Sequence, residues 1–195
     1  MYPSDRKTLL AGIFIALIVI VGSVASGKNI TKEKKKEEES PITDVIVEAP
    51  AYTESGQTNE GESTALTLPL DDLYLAELRI TLTWEDEPPR NRLFVNEPDT
   101  FRLELLNPEF NISLVSEEVA NPSGGEGSIT LRVNFTQEDA IRMYGSSNWT
   151  VNVVMVNAGD QHRMGLFHVI AFVDSGNSWS LTANIWTWQV RESSS

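Results

Sequence analysis

Five carboxylates fall in turns between stretches of alternating apolar residues: Glu85, Asp86 and Glu87 in TWEDEPP, Asp99 in NEPDT, and Asp160 in NAGDQ. Oxygen ligands gathered from several loops suit Ca2+, which takes roughly six to eight of them. No DxDxDG-type loop concentrates these acids, so solvated loop carboxylates are the blander and stronger reading. Calcium is the sharper expectation and the one cofactor to be considered. His162 and His168, with Met155 and Met164 nearby in MVNAGDQHRMGLFH, offer imidazole and thioether groups of the kind copper accepts. Methionines in strands, however, more commonly fill gaps in a core.

Catalysis finds little support. A serine nucleophile needs a base within hydrogen-bond reach, yet the chain has two histidines and no GxSxG elbow. Paired-carboxylate chemistry needs two acids facing one cleft, and the many acids of the chain single out no pair. Two other residue types point to binding. Trp186 and Trp188 in NIWTWQV share one face of an extended strand and, if exposed, would stack on sugars or on a protein partner; a one-residue slip at a bulge would bury them instead. Asn29, Asn111, Asn134 and Asn148 each open an Asn-x-Ser/Thr triplet, the acceptor for sugar attachment outside the cytoplasm.

These residues sit in a chain of 195 residues with no cysteine, which removes disulfides, thiolate metal sites and cysteine nucleophiles. The net charge of −13 is uneven: residues 41–195 hold eight Arg, no Lys and 23 Asp/Glu, a net −15. Such a surface repels phosphate backbones and excludes nucleic acid as a partner.

Three segments follow from composition. Residues 1–27 contain the uncharged run LLAGIFIALIVIVGSVA (9–25), flanked by Arg6, Lys7 and Lys28 and long enough to span a bilayer's hydrocarbon core. It exceeds the usual apolar stretch of a cleaved signal, which favours an uncleaved transmembrane helix over a signal peptide. Residues 28–63 carry KEKKKEEE at 32–39 and continue polar, and the segment reads as a flexible tether with at most a short strand in TDVIVEAP. Residues 64–190 read as an all-β domain. Leu78, Ile80, Leu82 and Trp84 share one face of LRITLTW; Phe101, Leu103 and Leu105 share one face of TFRLELLN; Ile129, Leu131, Val133 and Phe135 alternate in SITLRVNF. Further strands are expected at 65–70, 111–115, 149–156, 166–173 and 178–187, with GLFHVIAFV, apolar on both faces, placed centrally or at a partner surface. One short helix is expected at 136–144, capped by Thr136 and stopped by Gly145. About eight short antiparallel strands imply a β-sandwich of jelly-roll type.

The succession LTWEDEP, NEPDTFRLELLNP, GSSNWTVNVVMVNAGD and DSGNSWSLTANI, over residues 77–186, resembles the pre-peptidase C-terminal domains and related P-domain sandwiches of secreted and cell-surface proteins. The sequence departs from that pattern where no Gly follows Asn107-Pro108 and where DTFRLEL replaces an Asp-Leu-Asp-Leu strand. The resemblance implies a sandwich outside the cytoplasm, with roles in adhesion, substrate binding or support of a neighbouring domain; calcium sites occur in such sandwiches.

Five lysines after the apolar run and two basic residues before it would, by the positive-inside rule, place the domain in the cytoplasm. The short N-terminus, the all-β domain and the resemblance favour the opposite orientation. The sequence therefore leads to a single-pass protein of the cytoplasmic membrane with its β-sandwich facing outward, binding a protein or glycan partner rather than catalysing. A structural subunit of a surface assembly or filament is the alternative.

Overall fold

Extended backbone dominates wherever side chains alternate between apolar and polar. The computed structural model describes residues 40–122, 124–164 and 170–192. The strands are β1 (Ile42–Asn59), β2 (Ser63–Thr67), β3 (Leu75–Glu85), β4 (Phe94–Asn96), β5 (Thr100–Asn107), β6 (Ile112–Val115), β7 (Val119–Ala120), β8 (Glu126–Asn134), β9 (Thr150–Asn157), β10 (Gln161–Arg163), β11 (Ile170–Phe172) and β12 (Gly176–Val190). They form antiparallel sheets of order β1-β12-β3-β8 and β2-β9-β5-β6, with β7 added to β5 and a small sheet β11-β10-β4 at one end. Taken in chain order, the eight principal strands follow the double Greek key of jelly-roll sandwiches.

The core lies between the two large sheets. Leu78, Ile80 and Leu82 from β3 and Leu181, Ala183 and Ile185 from β12 face Phe101, Leu103 and Leu105 from β5 and Val151, Val153 and Met155 from β9. Period-2 alternation sends the intervening Thr and Arg residues outward, so each sheet has one wet face. The helix α1 (Gln137–Met143) starts at Thr136, whose Oγ1 accepts from Asp139 N while Asp139 Oδ2 accepts from Thr136 N, a capping box. It buries Ala140 and Met143.

One row of side chains crosses the first sheet on its inner face: Gly56, Trp179, Trp84 and Gly127 are paired in register across β1, β12, β3 and β8. The indole rings lie where the glycines lack side chains. A Cβ on Gly127 would stand 2.2 Å from Trp84 Cε2, and one on Gly56 would stand 2.5 Å from Trp179 Cζ2. Trp84 packs on Phe101 of the opposite sheet with ring centroids 4.9 Å apart, and Trp179 Nε1 donates to Thr58 Oγ1 at 2.9 Å.

The structure revises three expectations. Residues 42–59, read as tether, form the longest strand, paired with β12 from Ile42↔Val190 to Asn59↔Gly176; the domain thus begins about twenty residues before Thr64. Composition hid β1 because its side chains are largely exposed: its stabilisation comes from backbone hydrogen bonds to β12 and from a few anchors such as Ile42, 1% exposed. The described end of GLFHVIAFV is β11, an edge strand of the small sheet and not a central one. Among the described residues there are twelve strands in place of about eight, the additional ones including the short β4, β7 and β10. The apolar segment 9–25 lies outside the described residues, among which no helix is long and apolar enough to cross a membrane.

Two measurements test this architecture. A fragment beginning at Ser40 is expected to elute as one species and melt cooperatively, whereas one beginning at Thr64 should aggregate or lose its cooperative transition, because the edge of β12 is then bare. Gly127→Ala is expected to lower stability by roughly 1–3 kcal/mol in urea unfolding, since the new methyl displaces the Trp84 ring.

Candidate cation site

Past the Trp84–Trp179 row the sheets open into loops, and there three acids converge. Ligand oxygens of Asp86, Glu87 and Asp99 lie within 4.8 Å of one another. Asp86 and Glu87 follow the end of β3, and Asp99 precedes β5, so both approaches are fixed by strands whose inner residues are core. Asp86 and Asp99 are 1% and 0% exposed; Glu87 is exposed as a residue but its carboxylate reaches the cluster.

The loops are held by hydrogen bonds converging on these acids. Gly124 N donates to Asp86 Oδ2 at 2.7 Å, and Asn96 Nδ2 donates to Asp86 Oδ1 and to the Glu87 carbonyl. Asn177 Nδ2 donates to Asp99 Oδ2 and, at 2.8 Å, to the Glu85 carbonyl. Asn121 N donates to the Asp99 carbonyl at 3.1 Å. Gly159, at φ +69°, lets the chain pass so close that a Cβ would meet the Glu97 carbonyl oxygen at 2.1 Å and Asp99 Oδ1 at 3.2 Å.

Asp99 Oδ1, Asn96 Oδ1 and Asn121 Oδ1 are buried acceptors with no hydrogen-bond partner. Among the described residues no Arg or His forms an ion pair with Asp86, Glu87 or Asp99. Buried oxygens without donors and carboxylates without counterions are both costly. Burial pushes Asp99 up to about 7, an effect the Asn177 hydrogen bond opposes and the charges of Asp86, Glu87 and Asp174 reinforce. Burial likewise raises Asp86 and Glu87 above the ordinary carboxylate range, with Asp174 adding repulsion to both. The arrangement brings hard oxygen ligands together with no Arg or His ion-paired to them among the described residues, and oxygen donors of this kind are those that calcium and magnesium accept.

Of the five acids singled out in the sequence, the structure brings Asp86, Glu87 and Asp99 together. Glu85 belongs to the outer face of β3, since Trp84 before it faces inward, and it lends only its carbonyl to Asn177. Asp160 is not one of the converging acids: its Oδ1 accepts from Asp174 N at 3.1 Å and its carbonyl from Glu97 N. Sequence reasoning missed Asn96, Asn121, Asn177 and Asp174. The only signal for them was their position in turns beside strand ends, which they share with many polar residues.

The remaining candidates lie elsewhere. Trp186 and Trp188 are on the outer face, because Thr187 between them turns inward; the irregularity opposite them lies in β3 and leaves the alternation of β12 intact. Both are half-buried, Trp186 beneath the Arg79 guanidinium at 5.0 Å and Trp188 paired with Ile46 of β1. Met155 is in the core, away from any ligand role, while His162 Nε2 lies 2.9 Å from Glu97 Oε1 and His168 is outside the described residues. Asn111, Asn134 and Asn148 are exposed, and Asn29 lies outside the described residues.

No family model matches this chain, and no curated protein matches it. Solved structures similar to it include a Bacillus endospore appendage forming disulfide-linked pili (7% identity, 77% of this chain and 94% of that one, TM-score 0.33). A carbohydrate-binding module from a family 9 glycoside hydrolase of Ruminococcus flavefaciens is another (8%, 69% and 97%, TM-score 0.30). The empty capsid of Triatoma virus is a third (9%, 76% and 92%, TM-score 0.35). At such scores nothing about ligand or assembly passes from those proteins to this chain.

The raised carboxylates give a signed pH dependence. Folding raises the Asp99 pKa, so its favourable contribution is complete below the unfolded value of 3.8 and is lost as pH rises through about 7. In the presence of a chelator, Asp99→Asn is therefore expected to become progressively more stable than the wild type between about pH 4 and about pH 7 and to keep a constant lead above that, measured by thermal unfolding of the two side by side.

Proposed function

We propose that the domain is a binding module whose loop end is clamped by a calcium ion. One observation carries this reading: the carboxylates of Asp86, Glu87 and Asp99 converge within 4.8 Å with no Arg or His ion-paired to them among the described residues, and the loops that hold them also bury the donorless amide oxygens of Asn96 and Asn121. Calcium is favoured over magnesium because its flexible, higher coordination accepts ligands from separate loops, whereas magnesium demands near-ideal octahedral geometry. The ion would hold the loops after β3, before β5 and before β8 together, and its charge would remove the repulsion that raises Asp86, Glu87 and Asp99.

In this reading the domain works by presenting a surface, not by catalysis. The apolar run 9–25 serves as a single-pass tether, with the acidic sandwich outside the cytoplasmic membrane and Asn111, Asn134 and Asn148 open to sugar attachment. The outer face of β12, with Trp186 and Trp188 framed by Arg79 and Ile46, is a surface for a protein or glycan partner.

Calcium titration decides the matter. At neutral pH, millimolar Ca2+ is expected to raise the melting temperature of the wild-type protein, with stabilisation of about 2.7 kcal/mol at a hundredfold excess over Kd. Asp86→Asn and Asp99→Asn should abolish the shift while remaining folded. An unchanged wild-type melting curve and no heat on calorimetric titration would refute the assignment.

A further inference from the structure

The small sheet β11-β10-β4 is joined to the sandwich without sharing its core. It forms no ladder with either large sheet. Among the described side chains of its strands only Asn96 and Gln161 are buried, and both are polar. None of those side chains belongs to the hydrophobic core or packs against it. Its aromatic contacts stay within the sheet and the loop before it: the Phe94 and Phe172 ring centroids lie 5.5 Å apart, and the Arg90 guanidinium covers Phe172 at 3.9 Å. An element with so little buried apolar area opens at a small cost in free energy.

What meets the sandwich is the foot of each strand. Asn96, Gln161 and Phe172 are paired in register, so the three feet stand side by side, and all of them lie at the acids. β4 ends at Asn96, whose Nδ2 donates to Asp86 Oδ1 and, at 3.0 Å, to the Glu87 carbonyl. β10 begins one residue after Asp160, whose Oδ1 accepts from Asp174 N at 3.1 Å. β11 leads within two residues to Asp174, whose Oδ1 accepts at 3.2 Å from the N of Gly176, the first residue of β12. The Asp174 carboxylate also comes within hydrogen-bonding reach of the Glu87 carboxylate. Asp174 therefore stands at the joint between the small sheet and the sandwich. It is not one of the three acids within 4.8 Å of one another, yet its charge adds to the burial that raises all three.

Resting on the calcium reading above, we propose that the ion governs the seating of the small sheet on the sandwich, with Asp174 as the residue that makes the joint sensitive to it. In the absence of a cation, Asp174 meets three carboxylates that have no Arg or His ion-paired to them among the described residues, and this repulsion favours a displaced small sheet. A divalent cation among the acids turns the repulsion into attraction for the Asp174 carboxylate. The ion then binds the seated arrangement more tightly than the displaced one, and a difference of this kind is what a ligand needs to shift a conformational equilibrium. Calcium thereby decides whether the loop end presents one fixed surface.

Amide hydrogen exchange on the full chain tests this, with calorimetric titration under the same conditions reporting whether the ion binds. At neutral pH, millimolar Ca2+ is expected to slow exchange of the β4 and β10 amides roughly tenfold or more, and of the α1 amides at the opposite end of the sandwich less than about twofold. Asp174→Asn keeps an oxygen for the Gly176 bond. Its β4 and β10 amides are expected to exchange slowly even without calcium and to respond to the ion less than about twofold, while titration still releases heat through Asp86, Glu87 and Asp99. Heat with unchanged exchange in the small sheet overturns the proposal and leaves the clamp standing, whereas no heat removes the calcium assignment and this proposal together. Equal slowing in α1, or a variant that responds as strongly as the wild type, also overturns it. If the variant does not fold, the wild-type comparison decides by itself.

Discussion

The row Gly56–Trp179–Trp84–Gly127 is the contact on which the loop end of this sandwich depends. Two indoles side by side would be too wide for ordinary neighbours, and glycine at both flanks gives each ring the space of a missing side chain. The row spans all four strands of one sheet and reaches the other through the Trp84–Phe101 contact. It also sets the polarity of what lies beyond: Asp86 comes two residues after Trp84, Asp99 two before Phe101 and Asn177 two before Trp179, each therefore directed to the same side as the aromatic layer. The carboxylates stand at the apolar floor's edge, and burial is accordingly the largest cause of their raised pKa values.

The acids and the small sheet share their supports. The loop that leaves β3 carries Asp86 and Glu87 and then Arg90, Arg92 and Leu93; the loop after β11 carries Val173 and then Asp174, whose charge is felt by all three acids. Asn96 of β4 is buried against Asp86 while its neighbour Val95 is exposed on the outer side. Period-2 alternation within one short strand thus ties an inner polar site to an outer apolar face.

Much of the sandwich was legible because alternation is loud where one face is buried and the other wet: LRITLTW, TFRLELLN and SITLRVNF each became a strand with the expected residues inward. The strand at Ile42–Asn59 was silent for the opposite reason, since backbone pairing leaves no trace in side-chain composition and few of its side chains are covered. Asp86 and Asp99 could be found as acids in turns. Glu85 could have been set aside by the same alternation that placed Trp84 in the core. Asn96, Asn121 and Asn177 could not be singled out, because an asparagine in a turn is ordinary until a neighbour from another loop meets it.

The pairing of β1 with β12 has a consequence for how the chain reaches this state. Thr43 and Gln189, hydrogen-bonded through Oγ1 and carbonyl, are 146 residues apart in the chain. Of the two strands, β1 is synthesised first and waits, solvated, for β12 before their sheet can be completed. Folding of such a topology is governed by the search for distant partners and not by local collapse. The polar run from Thr53 to Asn59 keeps that half of β1 solvated through the interval, whereas Val45, Ile46 and Val47 leave its first half open to other chains until β12 pairs with it.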